Sequence, residues 1–176
     1  MPFLNPEQII QELKLNDGLL VADFGCGAGF YSIPAAKAVS SSGKIYALDI
    51  RKEMLDVVRS KSKQENLLNI ETIWANLEEL HGSRLKDRAV DRLIISNILF
   101  QVEKKNELIA EAYRVLKPRG LALVVEWEKG TSPSVPPAEH LISKERASEL
   151  FTNSGFNLEK EFSAGDKHYG LLFRKP

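Results

Sequence analysis

Apolar residues gather in five short runs at near-regular intervals: LLVADF (19–24), KIYALDI (44–50), NIETIW (69–74), VDRLIIS (90–96) and GLALVVEW (120–127). They are rich in Leu, Ile and Val and do not alternate strictly with polar residues, which predicts strands buried on both faces. Between the runs the apolar spacing changes to three and four. Met54, Leu55, Val57 and Val58 share one face of KEMLDVVRSKSKQ. Leu108, Ile109, Ala112, Val115 and Leu116 share one face of EKKNELIAEAYRVLKP, and Pro118 closes that helix. A short helix is expected over Pro6 to Leu13. Strands alternating with helices predict a parallel sheet with right-handed crossovers.

The pattern changes near the C-terminus. SKERASELFTNSGF reads as a helix capped by Ser143 and stopped at Gly155. NLEKEFSA and HYGLLFRKP then alternate apolar and polar residues around a turn near Gly165 and Asp166, so the sheet is expected to end in an antiparallel edge. Lys160 and Lys167 discourage that edge from pairing with another copy, and the pattern leaves monomer and homodimer both open. TSPSVPPAE (131–139) is expected to be a loop after the fifth strand.

Of the 176 residues, 43% are hydrophobic and 27% charged, as in a soluble globular domain. The 24 basic and 24 acidic residues cancel, so no global field favours nucleic acid or an anionic membrane as partner. Arg51, Lys52, Arg59, Lys61 and Lys63 form a local basic cluster that reads most simply as a solvated helix face. With Cys26 as the single cysteine, neither an intramolecular disulfide nor a thiolate-rich metal cage can form. MPFLNPEQIIQEL has no signal-peptide pattern, and LALVVEW is far shorter than the ~20 residues of a membrane helix. A cytoplasmic protein is expected.

Chemistry concentrates in VADFGCGAGFYS (21–32), with three glycines in five residues after a strand. A nucleoside triphosphate loop needs a lysine followed by Ser or Thr after the last glycine, and Phe30 and Tyr31 stand there instead. A dinucleotide loop needs GxGxxG; Gly25 and Gly27 fit, but Phe30 takes the third position. Asp23, two residues before the first glycine, would repel a pyrophosphate and attract an ammonium or sulfonium. The loop therefore suits a cationic ligand without phosphates, and S-adenosylmethionine is one.

Taken with the segments that follow, DFGCGAG resembles the first motif of the class I S-adenosylmethionine-dependent methyltransferases, in particular the compact small-molecule type similar to methyltransferases 11 and 25. IYALDI ending in Asp49 resembles that family's ribose-binding strand, and ANLEEL its adenine segment. VDRLIISNILFQV and EAYRVLKPRGLALVVEW resemble its fourth and fifth strands with their connecting helix. The resemblance runs from about Leu15 to the C-terminus. It implies an α/β fold: a Rossmann-like, doubly wound, mostly parallel seven-stranded sheet with a C-terminal antiparallel hairpin and helices on both faces, in one domain over residues 1–176.

The implied cofactor is S-adenosylmethionine, leaving as S-adenosylhomocysteine, held by Asp23, Gly25, Cys26, Gly27, Gly29, Tyr31, Asp49, Ile50, Asn76, Leu77 and Asn97. Asp49 lies 24 residues beyond Gly25, where a carboxylate can accept from both ribose hydroxyls. Asn76 stands where the family often carries aspartate; its carbonyl can take the adenine amino proton while its amide hydrogens need other partners. Leu77 would offer its backbone N–H to the ring, and Trp74 is a candidate wall for the base. Asp23, Gly25, Asp49, Asn76 and Asn97 follow successive strands at their carboxyl ends, where ligands bind in open α/β sheets. Two departures stand out. Ala28 removes a hydroxyl common in the family, and Arg119 interrupts a glycine pair, leaving Gly120 to take the positive φ.

Methyl transfer is an in-line displacement whose main demand is positioning. Phe30 or Tyr31 can face the cation. Where the acceptor must lose a proton, Glu126, His140 and Tyr169 are the candidate catalytic residues, with His168 beside Tyr169 at the start of the last strand, where one of the two must face the sheet interior. His81 reads as a loop residue. SNILFQ after the fourth strand lacks the proline-rich motif of nucleic-acid amino methyltransferases, and one cysteine is too few for arsenite chemistry. A small-molecule acceptor remains: a quinone precursor, another phenol or a carboxylic metabolite. The alternatives are a cofactor-binding subunit or sensor without catalysis, and an NAD-dependent oxidoreductase, against which Phe30 and Asp23 both speak.

Overall fold

The five apolar runs become the core of one seven-stranded sheet in the computed structural model, which describes residues 5–128 and 136–176. The strands are β1 (Leu20–Phe24), β2 (Lys44–Asp49), β3 (Ile70–Trp74), β4 (Val90–Ser96), β5 (Leu116–Trp127), β6 (Asn157–Ser163) and β7 (His168–Arg174). Their order is β3-β2-β1-β4-β5-β7-β6. β1 to β5 run parallel, while β7 pairs antiparallel with both β5 and β6. Sequence and spatial order diverge at the β1–β4 pair, and a crevice opens beyond the strand ends at such a reversal.

Alternate residues explain why these strands are apolar throughout. Ala22, Phe24, Leu93, Ile95, Ala122 and Val124 pack on one face with buried residues of α4 (Lys105–Val115) and α5 (Lys144–Asn153). Val21, Ile45, Ile94, Leu123 and Val125 pack on the other, with residues of α1 (Pro6–Ile9) and α2 (Ser32–Ala38). The remaining α-helix, α3 (Lys52–Gln64), buries Leu55 and Val58 as its spacing predicts.

Two boundaries and one backbone angle differ from the sequence pattern. The helix expected over Pro6 to Leu13 is α-helical only to Ile9, then tightens into a 3-10 turn over Ile10–Leu13. β5 starts at Leu116 rather than Gly120, because the chain leaves α4 directly into pairing with Val90 before the register shifts. The positive φ falls on Arg119 (64°), not on Gly120. Lys175 enforces this: its carbonyl accepts from Arg119 N–H (2.9 Å) and its N–H donates to Gly120 O (3.0 Å). Gly120 is needed for room, since a Cβ there would lie 2.6 Å from Leu116 Cγ.

The C-terminal helix and hairpin form where expected, although β6 is exposed and β7 buried along nearly their whole lengths instead of alternating. Ser143 accepts from Arg146 N–H (3.2 Å) to cap α5, Gly155 takes φ 96° beyond it, and the hairpin turns at Gly165. Of the expected loop 131–139, residues 131–135 lie outside the described residues, as do the first four of the chain. No helix among the described residues is long and apolar enough to cross a membrane.

Candidate cofactor cleft

A cleft of about 520 Å³ opens at the carboxyl ends of β1 to β4. Asp23, Gly25, Cys26, Gly27, Tyr31, Asp49, Ile50, Asn76, Leu77 and Asn97 all border it, although they come from four separate stretches of chain. Gly29 does not. At φ 81° it turns toward α3, and a Cβ there would press on Val58 at 3.2 Å, so its bareness serves helix packing. Gly25, at φ 72°, keeps the loop close to Ile98, whose Cδ1 lies 2.5 Å from where a Cβ would sit.

Two carboxyl groups set the electrostatics. Asp23 is buried at the end of β1 and accepts from Ser32 Oγ (2.6 Å), the first residue of α2. Burial pushes its carboxyl up to about 7; Ser32 opposes that rise and the neighbouring Asp49 adds to it. Asp49, also buried, ends β2. Its Oδ2 accepts from Gly27 N–H and its Oδ1 from Arg51 N–H, each at 2.9 Å, so the acid braces the glycine loop from below.

The far walls are tied by side chains. Asn76 Oδ1 accepts from Glu78 N–H (3.2 Å) and its amide donates to Glu79 Oε1 (2.7 Å), which supplies the partner its hydrogens require. Glu78 also borders the cleft and accepts from Lys104 N–H (2.7 Å), joining the segment after β3 to the start of α4. Asn97 adopts φ 52° at the end of β4, and its Oδ1 is buried without a hydrogen-bond partner among the described residues. Phe30 is half exposed on the cleft rim, edge-on to the buried Tyr31. Trp74 is not part of the lining: its Nε1 donates to Ile50 O (2.8 Å), and the cations of Lys52 and Arg84 lie 5.8 and 5.2 Å from its ring centre.

None of the three proton-transfer candidates reaches the cleft. Glu126 is fully buried on the α4/α5 face of the sheet, the face taken by Ala122 and Val124. Its Oε1 accepts from the backbone N–H groups of Ile98 (2.9 Å) and Leu99 (2.7 Å), so it anchors the turn after β4 instead of facing an acceptor. Tyr169, directly across the strand pair from Glu126, is buried on that face and donates to Ile142 O (3.0 Å). His140 is exposed beside Lys104, Glu139 and Arg146, in a separate concavity. His168 is buried too, against Trp127 on the opposite face from Tyr169, and burial lowers its imidazole to about 4.

The motif reading missed Ser32, Arg51, Glu78, Ser96, Ile98, Gln101 and Val102. Ser32 carried a usable signal, a hydroxyl at the first turn of the helix that follows a glycine loop. Ser96 closes β4 one residue before Asn97 and could have been found by the same strand-end logic. The others enter through loop geometry that no spacing announces.

Comparison with known proteins identifies the family. Residues 15–166 match the model of a methyltransferase domain family. A demethylmenaquinone methyltransferase of a Geobacillus species is 30% identical over 125 residues, covering 71% of this chain and 52% of that protein. This chain thus spans about half the length of the curated relatives it matches. A crystal structure of a SAM-dependent methyltransferase from Aquifex aeolicus is similar over 97% of this chain and 89% of its own, with TM-score 0.89 and 26% identity. The cyclase SpnF, 16% identical with TM-score 0.82 over 97% of this chain and 79% of its own, shares the fold alone.

Proposed function

The chain belongs to the class I S-adenosylmethionine-dependent methyltransferase family, and from that premise we propose that it binds S-adenosylmethionine in this cleft and methylates a small molecule. The observation that carries the reading is the buried Asp49, braced at the end of β2 beside the glycine loop and facing the cleft. A carboxylate so placed suits a ribose diol and opposes a pyrophosphate. The donor set agrees: Asp23 and the buried, unpartnered Asn97 Oδ1 are acceptors suited to an ammonium-bearing ligand. Asn76 and Leu77 would hold the base.

Bound there, the cofactor supplies an activated methyl group on a sulfonium. The lining residues would hold it so that an attacking atom can be set in line with the methyl carbon, at about 3–3.5 Å, and would shield it from water. Phe30 would offer its ring face to the cation at the rim. Glu126, His140 and Tyr169 lie off the cleft, which favours an acceptor already nucleophilic without a protein base. An electron-rich ring such as a quinol meets that demand: its carbon would take the methyl, S-adenosylhomocysteine would leave, and the ring proton would pass to solvent. The demethylmenaquinone methyltransferases among the relatives support the same class.

The buried Asp23 makes binding pH-dependent. A cationic ligand favours the ionised carboxyl, so affinity for S-adenosylmethionine is expected to fall as pH drops through about 7. Asp23→Asn should bind more weakly and flatten that dependence. Titration calorimetry between pH 5.5 and 8.5 checks this, and a pH-independent wild type would remove Asp23 from the role.

A further inference from the structure

Arg51 follows Ile50 on the cleft rim, with its side chain half exposed. Its Nε lies 3.3 Å from Asp49 Oδ1 and its Nη2 3.5 Å from Oδ2, so the guanidinium fork spans both carboxylate oxygens. Those oxygens are already engaged from the protein side by Arg51 N–H and Gly27 N–H, at 2.9 Å each. A carboxylate offers about four lone-pair directions. Two are taken by backbone and two by the fork, which leaves none for a ribose.

The two sets of contacts are unequal. The backbone bonds have ordinary hydrogen-bond lengths and belong to the loop itself. The fork contacts exceed the roughly 2.7–2.9 Å of a strong charge-assisted pair, and the half-exposed guanidinium can return to water when released. The fork also reaches over the glycine loop, with Nη2 3.9 Å from where a Cβ on Gly27 would lie.

Resting on the cofactor reading above, we propose that Arg51 is a competing latch on Asp49: its fork occupies the two outward lone pairs and must be displaced by the cofactor's cis-diol. The latch lowers affinity, and most for a ligand that presents both hydroxyls, since a single hydroxyl displaces one fork contact and leaves the other in place. Arg51 is thereby a specificity-determining residue, acting on the ligand through Asp49.

Calorimetric titration with S-adenosylhomocysteine tests the latch in wild type, Arg51→Ala, Arg51→Met and Arg51→Lys. The alanine and methionine variants should bind about three- to fivefold tighter, the scale of a half-exposed ion pair. The lysine variant, whose single ammonium cannot bridge both oxygens, should fall between. The gain should shrink with 2′-deoxy-S-adenosylhomocysteine, a result that a purely structural role for Arg51 would not produce. Unchanged or weaker binding by folded Arg51→Ala and Arg51→Met, with wild type binding normally, would overturn the latch. Failure of every form to bind S-adenosylhomocysteine would instead overturn the cofactor reading, and the latch with it.

Discussion

Asp49→Ala is expected to abolish measurable cofactor binding while leaving the sheet intact. The carboxylate would make two charge-assisted hydrogen bonds to the ribose, at about 1.5–3 kcal/mol each. Losing both corresponds to roughly a hundredfold to ten-thousandfold in affinity. A second loss accompanies it. Gly27 N–H gives up its 2.9 Å acceptor, so the loop that should approach the ligand is no longer braced. Calorimetry with S-adenosylhomocysteine, together with circular dichroism to verify folding, reads both effects. Binding by a folded Asp49→Ala within threefold of wild type would show that the ligand is anchored elsewhere.

The second large effect concerns Glu126, which the structure turns from candidate base into anchor. Glu126→Ala strips the acceptor from two backbone N–H groups, at Ile98 and Leu99, and leaves a cavity on the α4/α5 face. A cost of about 2–4 kcal/mol follows, which lowers Tm by roughly 5–15 °C at this chain length. Glu126→Gln keeps a carbonyl oxygen for both donors and removes a buried acid. Burial pushes the Glu126 carboxyl from 4.5 to about 8, so the folded state holds its proton more tightly than the unfolded chain does. The stability from that proton is fully present below pH 4.5 and is lost as pH rises through about 8. Thermal denaturation should therefore show Glu126→Gln gaining on wild type between pH 6 and 9, while Glu126→Ala stays low throughout. An anchor also predicts that Glu126→Gln retains methyl transfer. A stable Glu126→Gln without turnover would return Glu126 to the role of base.

The fold was legible because its signals are local. A strand buried on both faces must be apolar at successive positions, as in Leu93, Ile94 and Ile95. Strand ends are marked too, since Asp23, Asp49 and Asn97 interrupt or follow apolar runs where side chains leave the core. What stayed hidden depends on register and on contacts distant in sequence. Glu126 ends a strand as Asp49 does, but its side chain shares the parity of Ala122 and Val124 and so enters the helix-covered face. The φ at Arg119 is set by Lys175, over fifty residues away. Gly29 sits in the right motif yet packs on Val58, because the chain has already turned toward α3. Trp74 has the ring expected of a wall for the base, but its indole N–H turns to Ile50 O, away from the cleft lining. In each case the residue type was informative and its direction was not.

The cleft beyond β1 to β4 is proposed to bind S-adenosylmethionine. Calorimetric titration of the wild-type protein with S-adenosylhomocysteine and, separately, with NADH tests it most directly. Saturable one-site binding of S-adenosylhomocysteine at micromolar concentration, with no heat from NADH, is the predicted result. Binding of NADH alone, or of neither, would contradict it.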